Sequence, residues 1–421
     1  MRINVKRSSM ALLAISLFLT TGCKDEKDSG AQYASLTVEQ NKAKMEDEGA
    51  ALLTKMDQLK TLDAVYVAKD LSTLMQLNVS VTYVDAPITP LVRLIAGMAG
   101  NPQQVYQLRD AVTETNDLKT FMTEYAGVYT YNKSTEQFDK TAKAGEITFM
   151  FPTGTSTTNN ATVSLTNVTF KTATNQDFSG ESLLTSLNFS VQNGSTTLLS
   201  CIYSAQCNAD DMPSSEATTL TFSEGYKLTE TLTNDETNVV GNVAFTYNEA
   251  SLFSAHLQTK GDFDYAKVKT LFNTENQDLI PEVMNSANVW IQVGNLKMTG
   301  QADITSIWKA CDAKYPSGWG DENTATEQDL IEIAGIFNAN SQLLLLYADG
   351  TGVIAKSEFY PYHVQYSNPY FQDDSYDYWT MNQRFVFKDG SAMDESFFNT
   401  GFESLQADLE KFKNDLETSY K

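Results

Sequence analysis

Only two histidines, His256 and His363, are available for acid–base or metal chemistry in this chain. Two imidazoles fall short of most zinc sites unless carboxylates complete them. There is no His-Glu-x-x-His, no Gly-x-Ser-x-Gly, no Gly-Lys-Ser/Thr phosphate loop and no Gly-x-Gly-x-x-Gly. His256, in Ser254-Ala255-His256-Leu257, reads as an ordinary, partly buried position. No catalytic residue, metal ligand or cofactor is therefore assigned, and the chain is read as a non-enzyme. A glycosidase would need only two carboxylates placed by the fold; among 53 Asp and Glu no pair stands out.

Three further groups invite a reading. Cys201 and Cys207 flank Ile-Tyr-Ser-Ala-Gln, and Cys311 lies near Trp308. In an oxidising compartment Cys201 and Cys207 can close a small disulfide loop; the other reading is three buried thiols. Residues 359–379 hold Phe359, Tyr360, Tyr362, Tyr366, Tyr370, Phe371, Tyr376, Tyr378 and Trp379, with Asp373, Asp374 and Asp377 among them. Flat rings beside carboxylates suit a sugar-stacking surface, with Tyr370, Tyr378 and Trp379 as the candidate ligand residues. The same composition fits a loop that packs over a sheet with its rings turned in, and Trp379 is expected to be buried. The three aspartates lack the regular alternation and Gly of a calcium loop.

The N-terminus carries the most specific signal. Arg2, Lys6 and Arg7 precede a mostly apolar run from Met10 to Leu19. The run is too short to span a bilayer and fits the core of a secretory signal. Leu19-Thr20-Thr21-Gly22-Cys23 follows. It resembles the lipobox of bacterial lipoproteins, a small residue and then a Cys that is acylated and becomes the new N-terminus. Gly22 and Cys23 match; Thr20 stands where Leu is usual. Lys24, Asp25 and Glu26 resemble the short acidic export signal of Bacteroidetes surface lipoproteins. A looser resemblance to Bacteroidetes lipoproteins of about this length, a group with no assigned activity, runs from Gly127-Val128-Tyr129-Thr130-Tyr131-Asn132 to the Leu184–Phe189 strand and the Asn193-Gly194 turn. The resemblance implies a removed signal over residues 1–22, lipidation at Cys23 with palmitate-type acyl chains, and a flexible acidic tether over 23–34. It also implies an outer-membrane anchor with display at the cell surface, or on the periplasmic face. The membrane is then a partner through the acyl chains.

Charge narrows the other partners. Lys and Arg number 30 against 53 Asp and Glu, a net charge of −23. So acidic a body repels phosphate backbones and excludes non-specific nucleic-acid binding. A glycan or a protein remains as ligand.

These residues must be positioned by ordered elements. Thr37-Val38-Glu39-Gln40 forms a capping box, and Leu52, Leu53, Met56, Leu59 and Leu62 follow at helical spacing. A second helical stretch covers about 88–124, so residues 35–125 form a helical region. From Gly127 the pattern turns to alternation, with strands expected at 128–131, 146–151, 161–170, 186–191 and 196–203. More follow at 217–222, 225–233 and 238–248. Helices are expected at 264–273, at 303–314 and from the cap Thr324-Ala325-Thr326-Glu327. Strands are expected over Val289–Met298, on both sides of Asp349-Gly350, and at Phe385-Val386-Phe387 before the Asp389-Gly390 turn. A last helix is capped by Thr400 and Glu403. The expected fold is α+β: a large antiparallel β meander packed by N-terminal and C-terminal helices, with 126–421 forming one compact unit with 35–125. The function this supports is a non-catalytic binding or structural role at the outer membrane. The alternatives are a lipid- or lipoprotein-handling periplasmic protein with an apolar cavity, and a carboxylate-based glycan hydrolase.

Overall fold

The computed structural model describes residues 32–77, 115–274, 279–315, 326–366 and 376–393, with isolated positions 407 and 411. Helix α1 (Val38–Asp57) opens on the expected capping box: the Thr37 hydroxyl accepts from the Gln40 N–H, and Gln40 Oε1 accepts in turn from the Thr37 N–H. Helices α2 (Asp63–Leu77) and α3 (Thr115–Tyr125) follow. The helix expected from residue 88 lies outside the described residues up to 114; of the helix capped by Thr400 only positions 407 and 411 are described, both helical.

Ten strands come next: β1 (Gly127–Asn132), β2 (Gln137–Thr141), β3 (Ile147–Phe151), β4 (Ala161–Thr172), β5 (Ser182–Asn193), β6 (Thr196–Cys207), β7 (Pro213–Phe222), β8 (Tyr226–Asn234), β9 (Asn238–Tyr247) and β10 (Ala250–Gly261). Helices α4 (Tyr265–Thr274) and α5 (Ile280–Val283) lead to the hairpin β11 (Met284–Val293) and β12 (Leu296–Asp303). Helices α6 (Ile304–Lys314) and α7 (Glu327–Asn340) precede β13 (Ser341–Tyr347), β14 (Val353–Tyr366), β15 (Tyr376–Phe387) and β16 (Ala392–Met393). All sixteen strands join one sheet in the order β16 down to β3, then β1 and β2. Neighbours pair antiparallel, as expected, except β1 and β3, which are parallel. The exception arises because β1 and β2 form a hairpin and the chain then returns to the free side of β1.

Two expectations need correction. Val289–Met298 is not one strand but the middle of the β11–β12 hairpin, turned by Gly294-Asn295 with Gly294 at φ +54°. The aromatic stretch from 359 is not a loop for most of its length. Its ends are the long arms of β14 and β15, paired from Ala355–Phe387 to Tyr366–Tyr376.

Helices cover one side of the sheet. Side chains alternate along a strand, and Leu187, Phe189 and Val191 of β5 and Leu199 and Cys201 of β6 pack under α2 and α3. Phe151 and Leu71, each at 0% exposure, lie in this core; burying such a side chain contributes on the order of 2 kcal/mol. A second core places Ile304, Ile307, Trp308, Leu330, Ile333 and Phe337 of α6 and α7 against Ala287, Val289 and Phe359. Thr326 and Asp329 form the capping box that starts α7. Helix α1 crosses the ends of several hairpins: the buried Tyr347 hydroxyl of β13 donates to Asn41 (2.8 Å), Asn295 N of the β11–β12 turn donates to Glu48 (3.1 Å), and the Tyr226 hydroxyl of β8 donates to the Lys55 carbonyl (2.9 Å). Twenty residues of helix span about 30 Å, enough to cross the five strand spacings of about 4.8 Å between β8 and β13. The chain before α1 is stitched down as well, since Ala34 N donates to the Val353 carbonyl (2.8 Å) and Val353 N to the Gln32 carbonyl (3.0 Å).

Candidate functional site

The opposite side of the sheet carries no helix among the described residues, and its side chains are of another kind. Registers align one row across eleven strands: Ser186, Ser204, Ala217, Thr231, Asn242, His256, Trp290, Thr299, Leu344, Lys356 and Val386. A neighbouring row holds Gln342, Gln301, Asn288 and Gln258, four amides on adjacent strands. On the other flank Lys297, Gln292, Ser254, Ala244 and Thr229 stand in the next row. Strand spacing sets successive residues of a row about 4.8 Å apart. Hydroxyls and amides dominate these rows, with Trp290 at the centre and Leu344 and Val386 toward β15.

At the centre the groups are ordered by one another. Asn242 Nδ2 donates to Thr231 Oγ1 (3.1 Å), which leaves Asn242 Oδ1 as the acceptor facing His256 Nδ1 at 2.8 Å. His256 therefore carries its proton on Nδ1 and keeps Nε2 as an acceptor. Its ring stacks on Trp290, centroids 5.7 Å apart and planes 14° from parallel. From the strand on the other side of Trp290, Lys297 Nζ lies 4.6 Å from the indole centroid. Burial, and then the Lys297 charge, hold the His256 pKa below its ordinary value, so the ring is neutral at pH 7. This arrangement can accept and donate hydrogen bonds and present one cation. It has no nucleophile–base pair, and no group of three or more metal-ligating side chains is found among the described residues.

A second aromatic group stands on the β14–β15 arm. Tyr360 and Tyr362 (45% exposed) share the open side with Arg384, whose guanidinium lies 4.5 Å from the Tyr360 ring centroid and pairs with Glu358 at 2.5 Å. His363 is on the helix side, stacked on Trp379 at 4.6 Å and 2.7 Å from Asp377.

The residues singled out from sequence fare differently. Tyr378 and Trp379 are adjacent on β15 and so face opposite sides of the sheet. Trp379 is half-buried against the α6–α7 core, and Tyr378 is half-buried on the open side. They do not form one ligand surface, and Tyr370 lies outside the described residues. The Cys201–Cys207 disulfide is also corrected. Both are on β6, six residues apart, and an extended strand separates them by about 20 Å, far beyond disulfide reach. Neither is in a disulfide, and nor is Cys311. Burial pushes the Cys201 and Cys311 thiols up to about 11, so neither is a nucleophile at neutral pH. Cys23, Lys24, Asp25 and Glu26 lie outside the described residues. Trp290, Lys297, Asn242 and the amide row were not singled out from sequence, and His256 was read as ordinary. The signal was there in every second residue of β8 to β12, but it has meaning only once the registers are fixed.

Comparison with known protein families, with curated proteins and with solved structures finds no match for this chain.

Proposed function

We propose that the chain is an outer-membrane lipoprotein, anchored through acylated Cys23, displayed at the cell surface by Lys24, Asp25 and Glu26, and binding a glycan without catalysis on the open face of its sheet. The observation that carries the binding role is the row Thr231–Asn242–His256–Trp290–Thr299, flanked by amides on one side and Lys297 on the other. Sugar hydroxyls need paired donors and acceptors at close intervals, and this face offers them on rigid strands. The anchoring role is compatible with the stitched segment at Gln32–Ala34. Gln32 lies nine chain steps beyond Cys23, so the folded body begins at most about 30 Å from the acyl chains.

Two experiments test the two parts. Cys23→Ala should leave the membrane fraction, and protease added to intact cells should degrade the wild-type protein but spare a variant with Ala at Lys24, Asp25 and Glu26. Full partitioning of Cys23→Ala with membranes refutes the anchor. Glycan-array binding by the soluble Cys23→Ala protein should be lost on Asn242→Ala and Trp290→Ala; unchanged binding moves the ligand off this face.

A second reading rests on the helix side. There Val243, Ala255, Ile291 and Met298 form a half-buried apolar row through the middle of the sheet. Such a row suits an acyl chain, and lipid co-purifying in stoichiometric amount with the detergent-free Cys23→Ala protein would favour lipid handling.

A further inference from the structure

We infer that the ligand of the open face is an anionic polysaccharide, one bearing carboxylate or sulfate groups along its length. The inference rests on the glycan-binding reading above and adds the charge of the substrate. Its basis is a contrast between this face and the rest of the protein. The chain as a whole has 53 acidic and 30 basic side chains. On the open side of β5 to β15 the registers place Lys227, Lys260, Lys297, Lys356 and Arg384 against only Glu358 and Asp303. Glu358 is held by Arg384, and Asp303 caps the N-terminus of α6 through Ser306 N at 2.8 Å. Both carboxylates are thus committed within the fold. Lys227, Lys260 and Lys297 have no carboxylate partner among the described residues.

The geometry of the cations suits a polymer. Lys297 on β12 and Lys356 on β14 are two strand spacings apart, about 10 Å, and the span from β8 to β15 is about 34 Å. A chain of sugars laid across the strands meets a cation at several points, with hydroxyl and amide side chains between them. The central indole points the same way. Trp290 has His256 beside it on one strand and Lys297 over its ring from the other, so the group offered to a ligand beside the indole is the Lys297 ammonium. Neutral pyranose recognition uses a bare ring face, which this arrangement does not offer. Nucleic acid fits less well: its phosphates are denser than the charges of an acidic glycan, and a body at −23 opposes it more strongly.

The test is affinity electrophoresis of the full mature chain, as Cys23→Ala, in gels containing polygalacturonate, heparin, dextran or single-stranded DNA. Polygalacturonate or heparin should retard the protein, and the retardation should weaken as salt rises from about 0.05 to about 0.5 M. Lys297→Gln should lower the affinity at least about tenfold, the worth of one hydrogen bond to a charged group, with an unchanged melting temperature. Lys309→Gln, on the exposed side of α6, should bind as the wild type does. Retardation by dextran alone, insensitive to salt, overturns the anionic ligand and leaves the glycan-binding reading standing. Preference for DNA overturns both, and so does the absence of retardation in all four gels. Anionic binding that Lys297→Gln, Lys227→Gln and Lys260→Gln all leave intact also overturns the inference, because the anion then sits elsewhere.

Discussion

Asp211 is fully buried in the turn between β6 and β7, and its carboxylate ties that turn to the end of β4. It accepts from the backbone N–H of Thr174 (2.5 Å) and of Asn175 (2.7 Å) and lies 2.7 Å from Lys171 Nζ. Burial by itself would raise its pKa. The bond from Lys171, the N–H groups of Asn175 and Thr174 and the Lys171 charge outweigh burial and bring it down to about 2. A carboxylate held about two units below its ordinary value contributes about 2.5 kcal/mol to stability. The sign follows from proton uptake: the unfolded chain binds the proton first, so the contribution is complete above about pH 5 and is lost as pH falls from about 4 through 2. Asp211→Asn keeps an acceptor but removes the charge, and should cost about 2–3 kcal/mol at pH 7. Asp211→Ala also strands two N–H donors and should cost about 3–5 kcal/mol. Urea unfolding of wild type and Asp211→Asn across the pH range checks this. The two curves should converge as pH drops toward 2; a constant gap between pH 6 and 2.5 would refute the depressed carboxylate.

Adjacent residues of β15 test the facing of the sheet: Trp379→Ala should cost about 3 kcal/mol because it opens the core beneath α6 and α7, whereas Tyr378→Ala should cost about 1 kcal/mol or less. Equal losses in urea unfolding would mean the register is wrong. At Gly352, φ is +136° and an added Cβ would sit 2.7 Å from Ala34 N; Gly352→Ala should therefore cost about 2 kcal/mol and expose residues 32–36 to limited proteolysis. His256 should titrate below its usual 6.5 by NMR, and Lys297→Gln should move the midpoint upward, because the nearby ammonium opposes a second positive charge.

Much of this architecture was legible because local chemistry and tertiary structure agree. Thr37 with Gln40 starts α1, and the turn after Asn193 and the Asp349-Gly350 turn both close hairpins near the positions where they were read. The misreadings have physical causes. In β11 and β12, Val293 and Leu296 pair across the Gly294-Asn295 turn, so the apolar positions change phase from 289, 291 and 293 to 296 and 298, and a single strand cannot hold both sets on one side. In β14 and β15 both sides of the hairpin arm carry aromatics, Tyr360 and Tyr362 on one and Phe359 and Trp379 on the other, which blurs the period-two signal into what reads as an aromatic loop. The Cys pair looked close because sequence separation was short, but strand geometry turns short separation into distance. The central site stayed hidden for a related reason. Thr231, Asn242, His256, Trp290 and Thr299 come from five strands, and no window of sequence holds them together.

A polar, helix-free face on an antiparallel sheet has a simple explanation in solubility, and the character of the polar residues decides whether that is enough. A face kept soluble in an acidic protein would be expected to share its acidity, since Asp and Glu serve solubility better than Lys and Arg. Here the charges across β5 to β15 run the other way, while the exposed edge strand β2, which must resist pairing with other chains, carries Asp139 and Lys140 together. Solubility also does not require Asn242 to be oriented by Thr231 or His256 to be fixed in one tautomer by Asn242. Ordering side chains on a surface costs rotamer entropy, and a ligand that uses the ordered groups regains it by finding them already in place. Among the described strands the registers set Glu216 and Glu230 on the helical side, so these acids of the sheet stand away from the cations of the open face.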